Sequence, residues 1–182
     1  DFHAVIDGME MDVVADIRAP DDATLDIYCN RVASAVGRLS VRVFGMQEQD
    51  GIALAHHLGR ALQLTNILRD LDEDAELGRL YLPAEGLREA GIAATDPAVV
   101  LASPALDKVC ARVVDLARKH FAQADEIMAR SPRRSVRAPR IMGEAYRLIL
   151  DSLVARGWSS PRRPIHLPRA RLLWIILRHA LI

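Results

Sequence analysis

Gln63-Leu64-Thr65-Asn66-Ile67-Leu68-Arg69-Asp70-Leu71-Asp72-Glu73-Asp74, continued by Ala75-Glu76-Leu77-Gly78-Arg79-Leu80-Tyr81-Leu82-Pro83, decides how the rest of the chain is read. At about 100° per residue, Gln63, Asn66, Asp70 and Asp74 share one side of a helix, while Leu64, Ile67, Leu68 and Leu71 fill the adjoining side. The amides and carboxylates therefore border the apolar face. With Gly78 as the helix stop, Asp70, Asp72, Glu73, Asp74 and Glu76 crowd the last turns, where the negative end of the macrodipole disfavours anions. A cation would offset that cluster. Two aspartates at i and i+4, with the amide oxygen of Asn66 one turn earlier, suit magnesium, which is commonly held by one or two carboxylates and the oxygens of a substrate phosphate. The expected chemistry is that of a diphosphate.

Two other readings of the same residues exist. An acidic run at a helix end is ordinarily a solvated face. A calcium loop would use Asp70, Asp72 and Asp74 as its first, third and fifth positions, but it needs glycine at the sixth, where Ala75 stands, and glutamate at the twelfth, where Tyr81 stands.

A chain of 182 residues is long enough for one domain. Half of it is apolar, aromatics are few, and alanine, leucine, arginine and valine dominate, which is a helical composition. Formal charge sums to zero, yet residues 1–90 hold 8 basic and 17 acidic side chains and residues 91–182 hold 16 basic and 7 acidic. A uniformly basic nucleic-acid binder is excluded by that split. It suits a helical fold in which an acidic wall faces a basic one across a metal and a phosphate. Cys29 and Cys110 are too few for a disulfide framework and are expected to be reduced packing residues of a cytosolic protein. The longest apolar run, Leu172 to Leu177, is too short to span a bilayer.

The chain opens in a helical pattern without an initiating methionine, which suggests a cut or fragmentary start. Ala4, Val5, Met9, Val13 and Ile17 form the expected inner stripe of a first helix reaching about Arg18, and Asp21 or Asp22 can cap the next. From Asp22 to Pro83 there is no proline, leaving room for two long helices broken near Gly45 or Gly51. Tyr28, Val32 and Val36 share a face of the first. Residues 84–104 are irregular, with room for one short helix. Asp107 to Arg130 is amphipathic, with Val109, Val113, Leu116 and Phe121 expected in the core. After a turn at 131–135, Pro139 opens a helix that Gly157-Trp158 ends. Pro161, Pro164 and Pro168 stiffen a connector whose Arg162 and Arg163 match phosphate geometry. Arg169 to Ile182 is expected to be a docked terminal helix, with contact to a membrane surface as its lesser reading. His56-His57 shows no third ligand at metal spacing, and a surface role is expected for it. No Glu-x-x-His pair, Walker loop or dinucleotide fingerprint occurs, and nothing marks an oligomeric state.

The run from Gln63 to Asp70, then Asp74, then Gly78-Arg79-Leu80-Tyr81-Leu82-Pro83 resembles the second aspartate-rich motif of the squalene and phytoene synthase family. Tyr28-Cys29-Asn30-Arg31-Val32-Ala33-Ser34-Ala35-Val36-Gly37 resembles that family's tyrosine-bearing helix, in the family's order and spacing. The opening twelve residues and the stretch from Leu39-Ser40-Val41 to Phe44-Gly45 look most like the bacterial branch that forms presqualene diphosphate for hopanoids. The resemblance implies an all-α, isoprenoid-synthase-type bundle around a central apolar cavity, spanning residues 1–182 as a single domain. It implies a first aspartate-rich motif upstream of Asp1, and hence poor turnover by these 182 residues alone.

Carried over residue by residue, the resemblance implies that Asp70, Asp74 and Asn66 hold Mg2+, with Tyr28, Asp70 and Asp74 at the reacting centre. Gln63, Asn66, Arg69, Arg79, Tyr81, Tyr146 and Arg163 would bind substrate, and Val32 and Val36 would wall the prenyl channel. The implied reaction is the head-to-head condensation of two farnesyl diphosphates to presqualene diphosphate. Phytoene synthesis from two geranylgeranyl diphosphates and squalene formation with a nicotinamide cofactor are alternatives within the family. A non-catalytic helical scaffold whose charged faces bind partners is the alternative outside it.

Overall fold

Glycine, proline and capping aspartates set the helix ends. The structure is a computed structural model and describes residues 1–14 and 17–180, so Asp16, a helix-spaced partner for Asp12, and the last two residues of the terminal segment lie outside the described residues. Helix α1 spans Phe2–Val14 and α2 spans Asp22–Cys29, the latter capped by Asp21, whose Oδ1 accepts from the Thr24 amide at 2.7 Å. A π-helical segment, Asn30–Ser34, leads into α3, Ala35–Val43. The break falls at Gly45 as expected, whereas Gly51 lies inside α4, Glu48–Arg69. Then come α5 (Leu71–Glu76), α6 (Ala84–Glu89), α7 (Pro97–Leu101), α8 (Leu106–Arg130), α9 (Arg137–Arg156) and α10 (Arg169–Ala180). The irregular stretch thus holds two short helices, α6 and α7.

The central element is α4, which packs against α3, the π segment, α8 and α9. Its Leu54, Leu64, Ile67 and Leu68 join Val109, Val113 and Phe121 of α8 and Leu150 and Leu153 of α9 in one buried core. Close approach to the π segment depends on Gly59, where an added Cβ would sit 2.9 Å from the backbone N and Cα of Ser34. Arg60, buried beside it, donates to Ser34 Oγ at 3.0 Å and makes a two-pronged pair with Asp26 at 2.6 and 2.8 Å.

Three expectations about faces need correction. Met9 and Val13 point outward, because α1 lays Gly8 against Val32 and Arg31 of the π segment and so turns the remaining stripe away. Leu116 is exposed, since the buried face of α8 follows Val109, Val113, Ala117, Phe121 and Ala124. The acidic and basic halves meet by direct pairing: Arg112 with Asp22, Arg130 with Asp50 and Arg162 with Asp72. Cys29 and Cys110 are buried and free, and burial pushes the Cys29 thiol up to about 12.

Candidate active site

The central stretch bends where its carboxylates begin. Helix α4 ends at Arg69, Asp70 has φ −98° and ψ 16°, and α5 resumes at Leu71. Helical hydrogen bonding runs through the bend, with the Asp70 amide on Asn66 O and the Asp74 amide on Asp70 O, both at 2.8 Å. Asn66, Asp70 and Asp74 therefore stay one turn apart. Gly78, at φ +73°, closes α5 in a Schellman turn: its amide bonds Ala75 O at 3.0 Å and the Arg79 amide bonds Asp74 O at 2.8 Å.

That turn sends Leu80 alongside the segment after α1. The Leu80 amide donates to Ile17 O at 2.8 Å, and the Ala19 amide donates to Leu80 O at 2.9 Å. Tyr81 is thereby brought onto Tyr28 of α2, ring centroids 4.9 Å apart and stacked. Both hydroxyls turn to Asp12 of α1: Tyr81 donates to Oδ1 at 2.6 Å and Tyr28 to Oδ2 at 3.4 Å. Arg79 donates to the Asp12 carbonyl at 2.7 Å. Asp12 has no place in the reading of the sequence above, which puts the first aspartate-rich motif upstream of Asp1. One signal was available: Gly8 marks a close helix approach, and Asp12 lies one turn on along the same face.

The electrostatics of the group are uneven. Burial first, and then the charge of Asp70, push the Asp74 carboxyl up to about 6, with Asp12 and Glu73 adding to the rise and Arg79 opposing it. Asp70 is held by Arg69 at 2.6 and 2.8 Å, and Tyr146 lies beside Arg69. Burial raises the Tyr28 phenol far above its ordinary range, and burial with the bond to Asp12 pushes Tyr81 up to about 12. Asn66 Oδ1 is buried without a hydrogen-bond partner, although its amide nitrogen reaches Gln63 Oε1 at 3.5 Å. An orphaned amide oxygen one turn before one carboxylate and two before another is the donor type that hard divalent cations take.

Beside Asn66 opens an apolar cavity of about 210 Å³, whose lining does not reach Tyr28, Asp70 or Asp74. Val32, Ala33 and Val36 line one wall, Leu58 and Leu62 another, and Gln63, Asn66 and Tyr146 stand among its polar linings. Val36 is also exposed on its outer side. The connector arginines lie elsewhere: Arg162 is committed to Asp72 at 2.5 Å and to the carbonyl of Trp158 at 2.7 Å, while Arg163 is exposed, with its carbonyl accepting from Arg156 at 3.0 Å. Asp72 faces that connector, and the Asp70-Asp72-Asp74 alternation sits on a helix, not in a calcium loop. His56-His57 does acquire a third imidazole, His120 of α8, contrary to expectation.

The family profile described as squalene/phytoene synthase matches residues 1–171. A presqualene diphosphate synthase of Rhodopseudomonas palustris is 65% identical over the whole chain, and one of Sinorhizobium fredii is 63% identical; the chain spans 65% of the length of each. A phytoene synthase of Pseudescherichia vulneris is 35% identical over 88% of this chain and 52% of its own. Among solved structures, a dehydrosqualene synthase crystallised with a ligand superposes with a TM-score of 0.82 at 25% identity, covering 99% of this chain and 63% of that one. A squalene synthase of Alicyclobacillus acidocaldarius gives 0.78 at 25% identity, covering 90% and 60%. Matched almost end to end by the profile, and folded as those synthases fold, the chain belongs to the squalene/phytoene synthase family.

Proposed function

We propose that residues 1–182 act as one helical domain of a prenyltransferase that joins two farnesyl diphosphates head to head into presqualene diphosphate. The observation that carries this reading is the buried, unpartnered Asn66 Oδ1, on the lining of an apolar cavity, one turn before Asp70 and two before Asp74. The identity gap favours this product over phytoene: 55–65% to relatives named presqualene diphosphate synthase, against 35–40% to bacterial relatives named phytoene synthase.

Asp70, Asp74 and Asn66 would hold the divalent ion. Magnesium, when bound, supplies neutralisation of the departing diphosphate charge. For Asp70 to join, it exchanges its contact with Arg69, which frees that guanidinium for a diphosphate oxygen. Arg79, already bonded to the Asp12 carbonyl, stands at the same edge. In the reaction the C1–O bond of one farnesyl diphosphate breaks and the diphosphate takes the electron pair. C1 then bonds to the double bond of the second molecule, and loss of one proton closes the cyclopropane. Tyr28 is a neutral phenol and a weak base, so the released diphosphate is the better proton acceptor. The stacked faces of Tyr28 and Tyr81 supply negative π potential for the transient cation. Val32, Val36 and the leucines of α4 keep water from it.

No helix among the described residues is long and apolar enough to cross a membrane. We place the enzyme in the cytoplasm, with α10 resting on the membrane that receives its product, because Leu173, Trp174, Ile176 and Leu177 are exposed on a helix that also carries Arg169, Arg171 and Arg178.

The functional test is product analysis of the full-length protein with farnesyl diphosphate and magnesium. Presqualene diphosphate is the expected product, and Asp70→Ala should lower its rate by at least about 100-fold, the scale of losing one transition-state charge contact. An unchanged rate in Asp70→Ala, or a product made from geranylgeranyl diphosphate alone, would refute this reading.

A further inference from the structure

The three histidines that meet on the far side of α4 take no part in the chemistry proposed above. His56 and His57 are neighbours in sequence, about 100° apart around their helix, and α8 brings His120 against both. One ring nitrogen from each lies within 4.8 Å of the others, and His57 Nδ1 is 3.0 Å from His120 Nδ1. The ring centroids are 4.7, 5.2 and 5.9 Å apart. Two nitrogens bound to one tetrahedral zinc at about 2.0–2.1 Å stand roughly 3.3 Å apart, so a small rotation of each ring would admit the ion.

The surroundings favour neutral imidazole, the form that ligates. Burial is the first cause lowering all three, with Arg60 contributing, and His120 is pushed down to about 4. Arg60, the cation that acts on all three, has its own charge committed to Asp26 in two hydrogen bonds. Glu126 adds a negative charge on the His57 side. A route from solvent exists, since His56 is partly exposed and His120 lines a cleft of about 660 Å³ that also includes Asp26 and Lys119. Nitrogen donors suit late first-row ions and not magnesium, which separates this group chemically from the carboxylates of α4 and α5.

We propose that His56, His57 and His120 form a second, independent metal site, for zinc(II) or a similar late first-row ion, which clamps α4 to α8 and leaves its fourth position to water. The test is equilibrium dialysis of the full-length protein, free of any polyhistidine tag and stripped with chelator, against zinc(II), with cobalt(II) absorption as the geometric probe. One equivalent should bind with a tetrahedral cobalt spectrum, and it should persist in an Asp70→Ala, Asp74→Ala background. Loss of a supporting contact to a ligand already costs about 10–100-fold, so His57→Ala and His120→Ala should each weaken binding by more than about 100-fold. Zinc should also raise the melting temperature of the wild type and not of these variants. If circular dichroism shows His120→Ala unfolded, His56→Ala, altered at a partly exposed position, gives the same reading. Zinc binding unchanged by the histidine substitutions, or abolished by the aspartate ones, would overturn the proposal whatever the enzyme makes.

Discussion

Asp74 is a carboxyl whose charge the fold alone does not favour. Its value of about 6 lies above the ordinary carboxylate range, so the folded state binds that proton more tightly than the unfolded chain does. The resulting stability is complete below the ordinary range, about pH 4, and is lost as pH rises through 6. Because the side chain is only half-buried, the effect at neutral pH is on the order of 1 kcal/mol. Asp74→Asn in the full-length protein should therefore raise the melting temperature at pH 7.5 without divalent ions, and much less at pH 4. The variant should also lose the stabilisation that magnesium gives the wild type at pH 7.5. Calorimetry at the two pH values checks this, and an equal gain at both would contradict it. Residues this close in sequence, Asn66, Asp70 and Asp74, were legible from helical spacing alone. Asp12 was not, because its contact with Tyr28 and Tyr81 is made across sequence separations of 16 and 69 and leaves no local pattern. Arg162 was misplaced for a related reason: a guanidinium matches a carboxylate as well as it matches a phosphate, and Asp72 is nearer.

At the level of elements, the π segment is the feature that hydrophobic periodicity cannot register. A wider turn carries no side-chain code, yet it shifts the register of the helix beyond it. Tyr28 is buried under Tyr81 before it, while Val32 and Val36, within and after it, line the cavity. Its position is fixed by α4, through Gly59 against the Ser34 backbone and Arg60 against Ser34 Oγ. Gly59→Ala should destabilise the protein by about 1–3 kcal/mol, the usual cost of overpacking against backbone, as measured by urea unfolding. Retained stability in that variant would mean that the close approach is not needed. Helix ends were legible wherever a glycine or a capping aspartate stands, at Asp21, Gly45, Gly78 and Gly157. The faces of α1 and α8 were less so, because which stripe is buried depends on the neighbour: Gly8 selects it in α1, and Ala117 and Ala124 select it in α8.

Across the whole molecule, the separation of charge along the chain becomes a set of cross-links, Arg112 to Asp22, Arg130 to Asp50 and Arg162 to Asp72, that draw the C-terminal helices over the N-terminal ones. The pattern announced that the two halves meet, but not that they pair directly. Helix α10 is both basic and apolar, and is anchored through Ile175, which is buried, and His179, 2.8 Å from Glu144. Trp174, 66% exposed, should be the strongest single contact with a lipid surface. Trp174→Ala should weaken co-sedimentation with anionic vesicles by about tenfold while leaving stability unchanged, whereas equal sedimentation would remove α10 from the membrane.

The claim on which the function rests is that Asn66, Asp70 and Asp74 hold a divalent ion together with a diphosphate. It is tested most directly by isothermal titration of the full-length protein with inorganic diphosphate, with and without magnesium. The expected result is binding that requires magnesium and weakens by more than about tenfold in Asn66→Ala and in Asp74→Ala. Equal affinity without magnesium, or in both variants, would contradict it.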